Sequence, residues 1–398
     1  MKRNEKIDDI VIVAAKRTPI GSLCGQLSNI PAVELGAIVI KDLLTQTRIP
    51  KNEIDQVIMG QVLSAGCGQN PARQAALKAG LPESVTGLTI NKVCGSGLVA
   101  VNLAVQAIRN GDAQVVIAGG QENMSKAGHV ISDMRKGIRL GNSLIVDTLV
   151  LDGLTDAFNN YHMGITAENV AAENNISRDD QDRYALQSQN KARTASQANA
   201  FKYEITPVIT NNPHKGEIII DHDEGPRETS LEQLLSLKPV FKKEGVVTAG
   251  NSSTINDGAA AVIVCTRQKA LSLGLTPLVT IGSFANTGIS PTVMGLGPIS
   301  AIRQCLNKAN KSIDEIDLFE CNEAFAAQAL AVKRALNLPD DKLNINGGAI
   351  ALGHPIGASG CRILVSLIHQ LTLNNLKSGV ASLCVGGGEG VAMYVYRH

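Results

Sequence analysis

The chain has 398 residues, 44% of them apolar and 18% charged, with a formal net charge of +1. That length holds two or three domains with cores of their own, and the near-neutral balance gives no support to nucleic-acid binding or to a membrane-surface role. Eight cysteines without one CxxC pair, scattered from Cys24 to Cys384, argue against a structural zinc site and for reduced thiols in a reducing compartment.

In chain order, the charged start MKRNEKIDD leads straight into a strand, IVIVAA, with no apolar signal core between them. DQVIMGQVL precedes a run at residues 85–93 that reads as a buried strand, which delivers the chain to VCGSG. Cys94 thus lies between a strand and a Gly-Ser-Gly turn that opens an almost wholly apolar helix from Leu98 to Ile108. A thiol at that place faces the unpaired N–H groups and positive dipole end of a helix, which favour the nucleophilic thiolate. The glycines beside Ser96 let a substrate carbonyl come close to the backbone. Taken alone, the segment equally suits a small core cysteine, so the nucleophile needs a partner base.

The strand AQVVIAGGQENM follows, and from about residue 121 to 250 the texture changes to that of an insertion. An amphipathic helix starts near Ser177, where SRDD resembles a capping box, and runs through DQDRYALQSQNKARTASQANA. Polar loops such as NNPHKGE and DHDEGPRE surround it.

In the C-terminal half, GGAIALGHPIGASGCR puts His354 in a Gly-rich turn ahead of a second apolar helix. ASLCVGGGEGVAM puts Cys384 at the end of a strand that runs into three glycines. Three residues of reactive type at strand rims beside glycine point to a catalytic set. GGGEG and GLGPIS lack the strand-turn-helix setting of a dinucleotide site. No run approaches the roughly 18 apolar residues of a membrane span, and the terminal YRH is not a peroxisomal address.

The halves repeat each other. Asp55 and Ser96 are 41 positions apart and Asp317 and Ser359 are 42, each interval joining a strand to an SG turn, an apolar helix and a further strand. Alternating strands and helices predict parallel-rich sheets covered on both faces, and helices apolar nearly all round predict a layer buried between two such sheets.

Together VCGSG around Cys94, NEAFA at residues 322–326, GHPIGASG around His354 and CVGGGEG around Cys384 resemble the thiolase family, most closely its biosynthetic branch. The resemblance covers essentially the whole chain. It implies an α/β fold of two similar halves with helices sandwiched between their sheets. Residues 1–270 would form an N-terminal domain that includes an inserted coenzyme A loop domain at about 121–250, and residues 271–398 a C-terminal one.

The chemistry that the resemblance implies is ping-pong acyl transfer joining two acetyl-CoA into acetoacetyl-CoA and CoA. Cys94 would carry the acetyl group, His354 would take its proton, and Cys384 would remove the α-proton of the second acetyl-CoA. A water held by Asn322 would form one oxyanion hole with His354, and the N–H groups of Cys94 and Gly386 the other. Glu323 is the alternative to Asn322, but its charge would repel a forming enolate. For coenzyme A the resemblance picks out His162 and Met163 in YHMG, Arg227 for phosphate and Ser253 in AGNSS for pantetheine, with Leu237 and Phe241 as further contacts. It also implies a homotetramer built partly by an arm at 125–146, no metal or redox cofactor, coenzyme A as substrate and product only, and a cytoplasmic enzyme. A degradative 3-ketoacyl-CoA thiolase for longer chains is the alternative, disfavoured by the bulky methionine of YHMG.

Overall fold

The computed structural model describes residues 8–212 and 216–398. Most of the charged start, residues 1–7, and residues 213–215 of the NNPHKGE segment lie outside the described residues.

Nine strands carry the frame: β1 (Ile10–Arg17), β2 (Gln56–Gly60), β3 (Thr86–Ile90), β4 (Val115–Asn123), β5 (Asn256–Thr266), β6 (Val279–Gly288), β7 (Leu318–Cys321), β8 (Ser378–Val385) and β9 (Glu389–Tyr396). The order across the sheet is β7-β8-β9-β6-β1-β5-β4-β2-β3, with a short tenth strand at Gly21–Ser22 paired to β5. The duplication is visible in this order, because β1-β5-β4-β2 and β6-β9-β8-β7 repeat one another from the centre outward. Even the outermost strand has its counterpart, since β3 pairs in parallel with β2 and Leu343 bridges in parallel to Phe319 of β7.

Two expectations change. The halves share one continuous sheet, joined where β1 pairs antiparallel with β6 at Val11–Thr280 and Ile12–Val279. The sheet is also mostly antiparallel, with only β2–β3, β2–β4 and β7–β8 running in parallel. A local cause is plain at β8 and β9, where Gly386–Gly388 close a hairpin and hairpins impose antiparallel pairing. The segment expected as a buried strand at 85–93 is shorter, β3, and half-exposed, because it is the edge of the sheet with no neighbour beyond it.

Eight helices cover and fill this frame: α1 (Ala32–Thr47), α2 (Pro71–Lys78), α3 (Ser96–Asn110), α4 (Met163–Glu173), α5 (Arg178–Gln197), α6 (Gly297–Ala309), α7 (Ala326–Leu336) and α8 (Ile356–Leu373). Strand alternation divides the core. Val11 and Val13 of β1 join α1 and α2 in one cluster, while Ile10, Ile12 and Ala15 join α3 and α8 in the largest. That larger cluster draws on β4 and β5 from one half and β8 and β9 from the other, so α3 and α8 are the expected sandwiched layer.

Burial on all sides explains the composition of α8. It is long and apolar enough to cross a membrane by length and composition, which overturns the expectation that no such run exists, yet most of it is buried inside the fold. In the insertion, Ser177 caps α5 as expected, accepting from the Asp180 N–H at 3.1 Å while the Asp180 carboxylate accepts from the Ser177 N–H. Of the segment NNPHKGE, expected as a loop, the described residues Asn211, Asn212, Gly216 and Glu217 lie in strands, with Val208–Asn212 pairing antiparallel to Gly216–Ile220.

α3 and α8 cross at the two duplicated SG turns. A Cβ on Gly97 would lie 2.7 Å from the Cys361 N, and one on Gly360 would lie 2.4 Å from the Leu98 N. Replacing a helical glycine by alanine ordinarily stabilises by about 1 kcal/mol. Here the methyl meets backbone that cannot rotate away, so Gly360→Ala is expected to destabilise the fold by about 1–3 kcal/mol. Chemical denaturation measures it, and an unchanged or higher midpoint would contradict the close crossing.

Candidate active site

The chain leaves β3 at Ile90 and reverses before α3 begins. Val93 sits at φ +47°, a strained conformation for a β-branched residue. Three bonds hold it: Asn91 Oδ1 accepts from the Val93 N–H at 2.9 Å, Ser96 Oγ accepts from the Lys92 N–H at 2.8 Å, and the Ser96 hydroxyl donates to the Val93 carbonyl at 2.7 Å. The turn leaves Cys94 half-buried, one residue before the Gly95 cap of α3. Burial pushes its thiol up to about 11, the N–H groups of Gly386 and of Cys94 itself pull it back in part, and the carboxylate of Glu122 pushes it up further.

His354 occupies the turn between a short helical segment, Ala349–Leu352, and α8. Gly353 before it has φ +107°, and a Cβ there would strike the Asn256 carboxamide. That close approach lets Asn256 Oδ1 accept from the His354 N–H at 2.9 Å. The Ser359 hydroxyl donates to the Pro355 carbonyl at 2.8 Å and lies 2.5 Å from His354 Nδ1. With its one proton committed, Ser359 Oγ accepts from Nδ1–H, which leaves the lone pair on Nε2. Burial, with the Arg362 charge adding to it, holds the imidazole down to about 3, so it is neutral near pH 7.

Asn322 and Cys384 stand at the ends of neighbouring strands. The Asn322 N–H donates to the Ser382 carbonyl at 2.9 Å, continuing the β7–β8 pairing. Its Nδ2 lies 3.5 Å from His354 Nε2, and its Oδ1 is buried without a hydrogen-bond partner. Cys384 is fully buried among Met163, Met294, Ala324 and Phe325. Burial raises its thiol well above the usual range, and the neighbouring Cys94 adds to the rise. Glu323 is engaged elsewhere, accepting from Tyr184, Ser188 and Asn344 side chains at 3.1, 2.6 and 2.9 Å and from the Ile350 N–H at 3.2 Å. This satisfies the carboxylate and removes it from the reacting centre.

A cavity of about 490 Å³ opens onto this group. Cys94, His354, Gly386, His162, Met163 and Ser253 all line it, and Asn322 and Cys384 lie behind its wall. His162 stacks on Phe241 with ring centres 4.6 Å apart, and Met163 packs where a Gly386 Cβ would be 3.3 Å from its methyl. Arg227 is exposed, is not part of the cavity wall, and uses its N–H to bond Gln189 Oε1 at 3.0 Å. Leu237 is likewise outside the wall, whereas Phe241 is in it. Sequence reasoning missed Met294 and Phe325 of the wall, and Asn256 and Ser359 as the supports of His354. For Ser359 a signal existed, since the GHPIGAS spacing puts its hydroxyl one helical turn after Pro355. Among the described residues no group of three or more His, Cys, Asp or Glu side chains could hold a metal ion, and all eight cysteines are free.

Comparison with known proteins identifies the family. Residues 10–268 match the family model described as thiolase, N-terminal domain, and residues 275–397 that described as thiolase, C-terminal domain. The chain is 56% identical over 390 residues to a probable acetyl-CoA acetyltransferase of Escherichia coli, covering 98% of this chain and 99% of that one. Its fold superposes on the crystal structure of the Bacillus anthracis acetyl-CoA acetyltransferase with a TM-score of 0.95 and 42% identity, covering 98% of each. It superposes on human mitochondrial 3-ketoacyl-CoA thiolase with a TM-score of 0.95 and 41% identity, covering 98% and 99%. On both family models and on these relatives, the chain belongs to the thiolase family.

Proposed function

We propose that this acyltransferase catalyses the reversible condensation of two acetyl-CoA to acetoacetyl-CoA and CoA through an acetyl group carried on Cys94. The observation that carries the reading is the setting of Cys94, whose sulfur faces the N–H groups of Gly386 and Cys94 in a cavity shared with His354. In the first half-reaction, the Cys94 thiol gives its proton to the free lone pair on His354 Nε2 as sulfur attacks the acetyl carbonyl. The N–H groups of Cys94 and Gly386 receive the oxyanion, and CoA departs as a thiolate that takes the proton of Cys384, leaving Cys384 as the thiolate. A resting thiol near 11 beside an imidazole near 3 means that proton transfer accompanies attack, instead of preceding it as a stable ion pair.

In the second half-reaction, Cys384 removes the α-proton of a new acetyl-CoA. The Nε2–H that His354 gained from Cys94, with a water held by Asn322, stabilises the enolate oxygen, the carbanion attacks the acetyl carbon, and Cys94 leaves as a thiolate that recovers its proton from His354. The unpartnered Asn322 Oδ1, able to accept from such a water, and the 3.5 Å separation of Asn322 Nδ2 from His354 Nε2 support this pairing. Every oxidation state is conserved, so the reading needs no redox cofactor or metal, with coenzyme A as substrate and product and thiols kept reduced, as in the cytoplasm. The relatives named as acetyl-CoA acetyltransferases support the substrate. His162, Met163 and Ser253 receive the thioester and pantetheine, and Arg227, if it meets phosphate, does so outside the cavity. A homotetramer is supported by the arm at 125–146, which exposes Leu140, Leu144 and Ile145 at 96%, 81% and 67%.

Deuterium wash-in separates the two cysteines. Cys384→Ala is expected to accept acetyl on Cys94 yet lose condensation and exchange of the acetyl-CoA α-protons in D2O. Exchange at the wild-type rate in that variant would remove Cys384 from the role and leave His354 as the base.

Chain length separates this reading from the degradative one. Met163, Met294 and Phe325 line the cavity and pack around Cys384, so extra methylenes that reach them overpack the site by about 1–3 kcal/mol, roughly 5- to 150-fold in rate. Thiolysis kcat/KM should fall by such a factor from four-carbon to eight-carbon 3-ketoacyl-CoA. Equal values would favour the longer-chain thiolase.

A further inference from the structure

Glu122 is a fully buried carboxylate at the end of β4 that the chemistry above does not use. Its Oε2 accepts from the Val62 N–H at 3.0 Å and from the Gly357 N–H at 2.9 Å, and its Oε1 accepts from the Leu63 N–H at 3.1 Å. Gly357 belongs to the segment that carries His354, and Val62 and Leu63 to the segment bonded to the end of the strand that leads into the Cys94 turn. Gly357 is the second residue of α8, three positions after His354, where an anion also meets the positive end of the helix dipole. Val62 and Leu63 follow β2, and the neighbouring Gln61 N–H donates to the carbonyl of Ile90 at 3.0 Å, at the point where β3 ends and the Cys94 turn begins. Val62, Leu63 and Ile356 also form a buried cluster against which Cys94 packs.

The fit at Gly357 is close. A Cβ there would lie 2.6 Å from Glu122 Oε2, so the helix comes near enough to bond only because that residue has no side chain. Burial pushes the Glu122 carboxyl up to about 7, with the three backbone N–H groups pulling it back and Asp257 adding to the rise. Burying a carboxylate is costly, and a backbone anchor that needed only apolar packing would not require one.

We propose that Glu122 is a positioning residue that holds His354 in register with Cys94 by bonding the start of α8 to the segment after β2. The inference rests on the reading of Cys94 and His354 as the reacting pair. Glu122→Gln keeps the shape but turns an acceptor into an N–H donor that opposes at least one of the three backbone donors. Displacements of about 1 Å in such a pair cost on the order of 10²-fold in turnover.

The test measures thiolysis of acetoacetyl-CoA together with the number of chains that accept labelled acetyl from acetyl-CoA on Cys94. Glu122→Gln should still label one Cys94 per chain and keep KM within about threefold, while kcat falls by about tenfold or more. Gly357→Ala, which pushes the carboxylate away from the other side, should give the same split. A kcat within twofold of wild type would overturn the inference, as would a loss of turnover matched by an equal loss of chains that can be labelled, which marks a purely structural role. Wild-type protein that takes no acetyl on Cys94 would instead overturn the functional reading and this inference with it. A labelled wild type with an unaffected Glu122→Gln overturns the inference alone.

Discussion

Gly97 and Gly360 bring the backbones of α3 and α8 so close that neither position has room for a methyl group. The two residues occupy equivalent places in the duplicated halves, each just after the serine of an SG turn. Their contact therefore sits near the local symmetry of the molecule, and what precedes each helix is brought together with it. Ahead of α3 comes Cys94, and ahead of α8 comes His354. The large cluster around both helices, filled from β4 and β5 on one side and β8 and β9 on the other, makes the crossing the common support of both halves.

Electrostatics follow from the same burial. Packing both helix starts inside the fold buries His354 and partly buries Cys94, and desolvation favours the neutral form of each. The imidazole gains a fixed tautomer from Ser359, and the thiol gains N–H donors that serve equally for a thiolate or an oxyanion. A site of this kind holds little charge at rest and develops it only along the reaction, where fixed donors need no rearrangement. Cys384, buried more deeply still, has the same dependence on bound substrate to stabilise the charge it creates.

Much of this was legible in the sequence for identifiable reasons. VCGSG, GHPIGASG and CVGGGEG combine a reactive side chain with glycines, and glycine at a close approach is a local demand that leaves a local mark. The Ser177 cap of α5 was readable on the same grounds. Strand direction was not, because pairing is decided by partners far along the chain, and β5 joins β1 and β4 across more than a hundred residues. The membrane-like composition of α8 escaped notice because glycine, serine and arginine interrupt it, although all of them are buried. Glu122 lay inside a strand motif where its carboxylate looked like an ordinary polar strand end, and only the backbone donors from two other segments reveal its contacts.

The central claim is that Cys94, held at the head of α3 beside a neutral His354, is the residue that becomes acylated. Brief incubation with isotopically labelled acetyl-CoA, acid quenching and peptide mass mapping tests it directly. The account predicts one acetyl group per chain on the peptide containing Cys94 and none in Cys94→Ser. Label on the peptide containing Cys384, or acetylation that survives in Cys94→Ser, would contradict it.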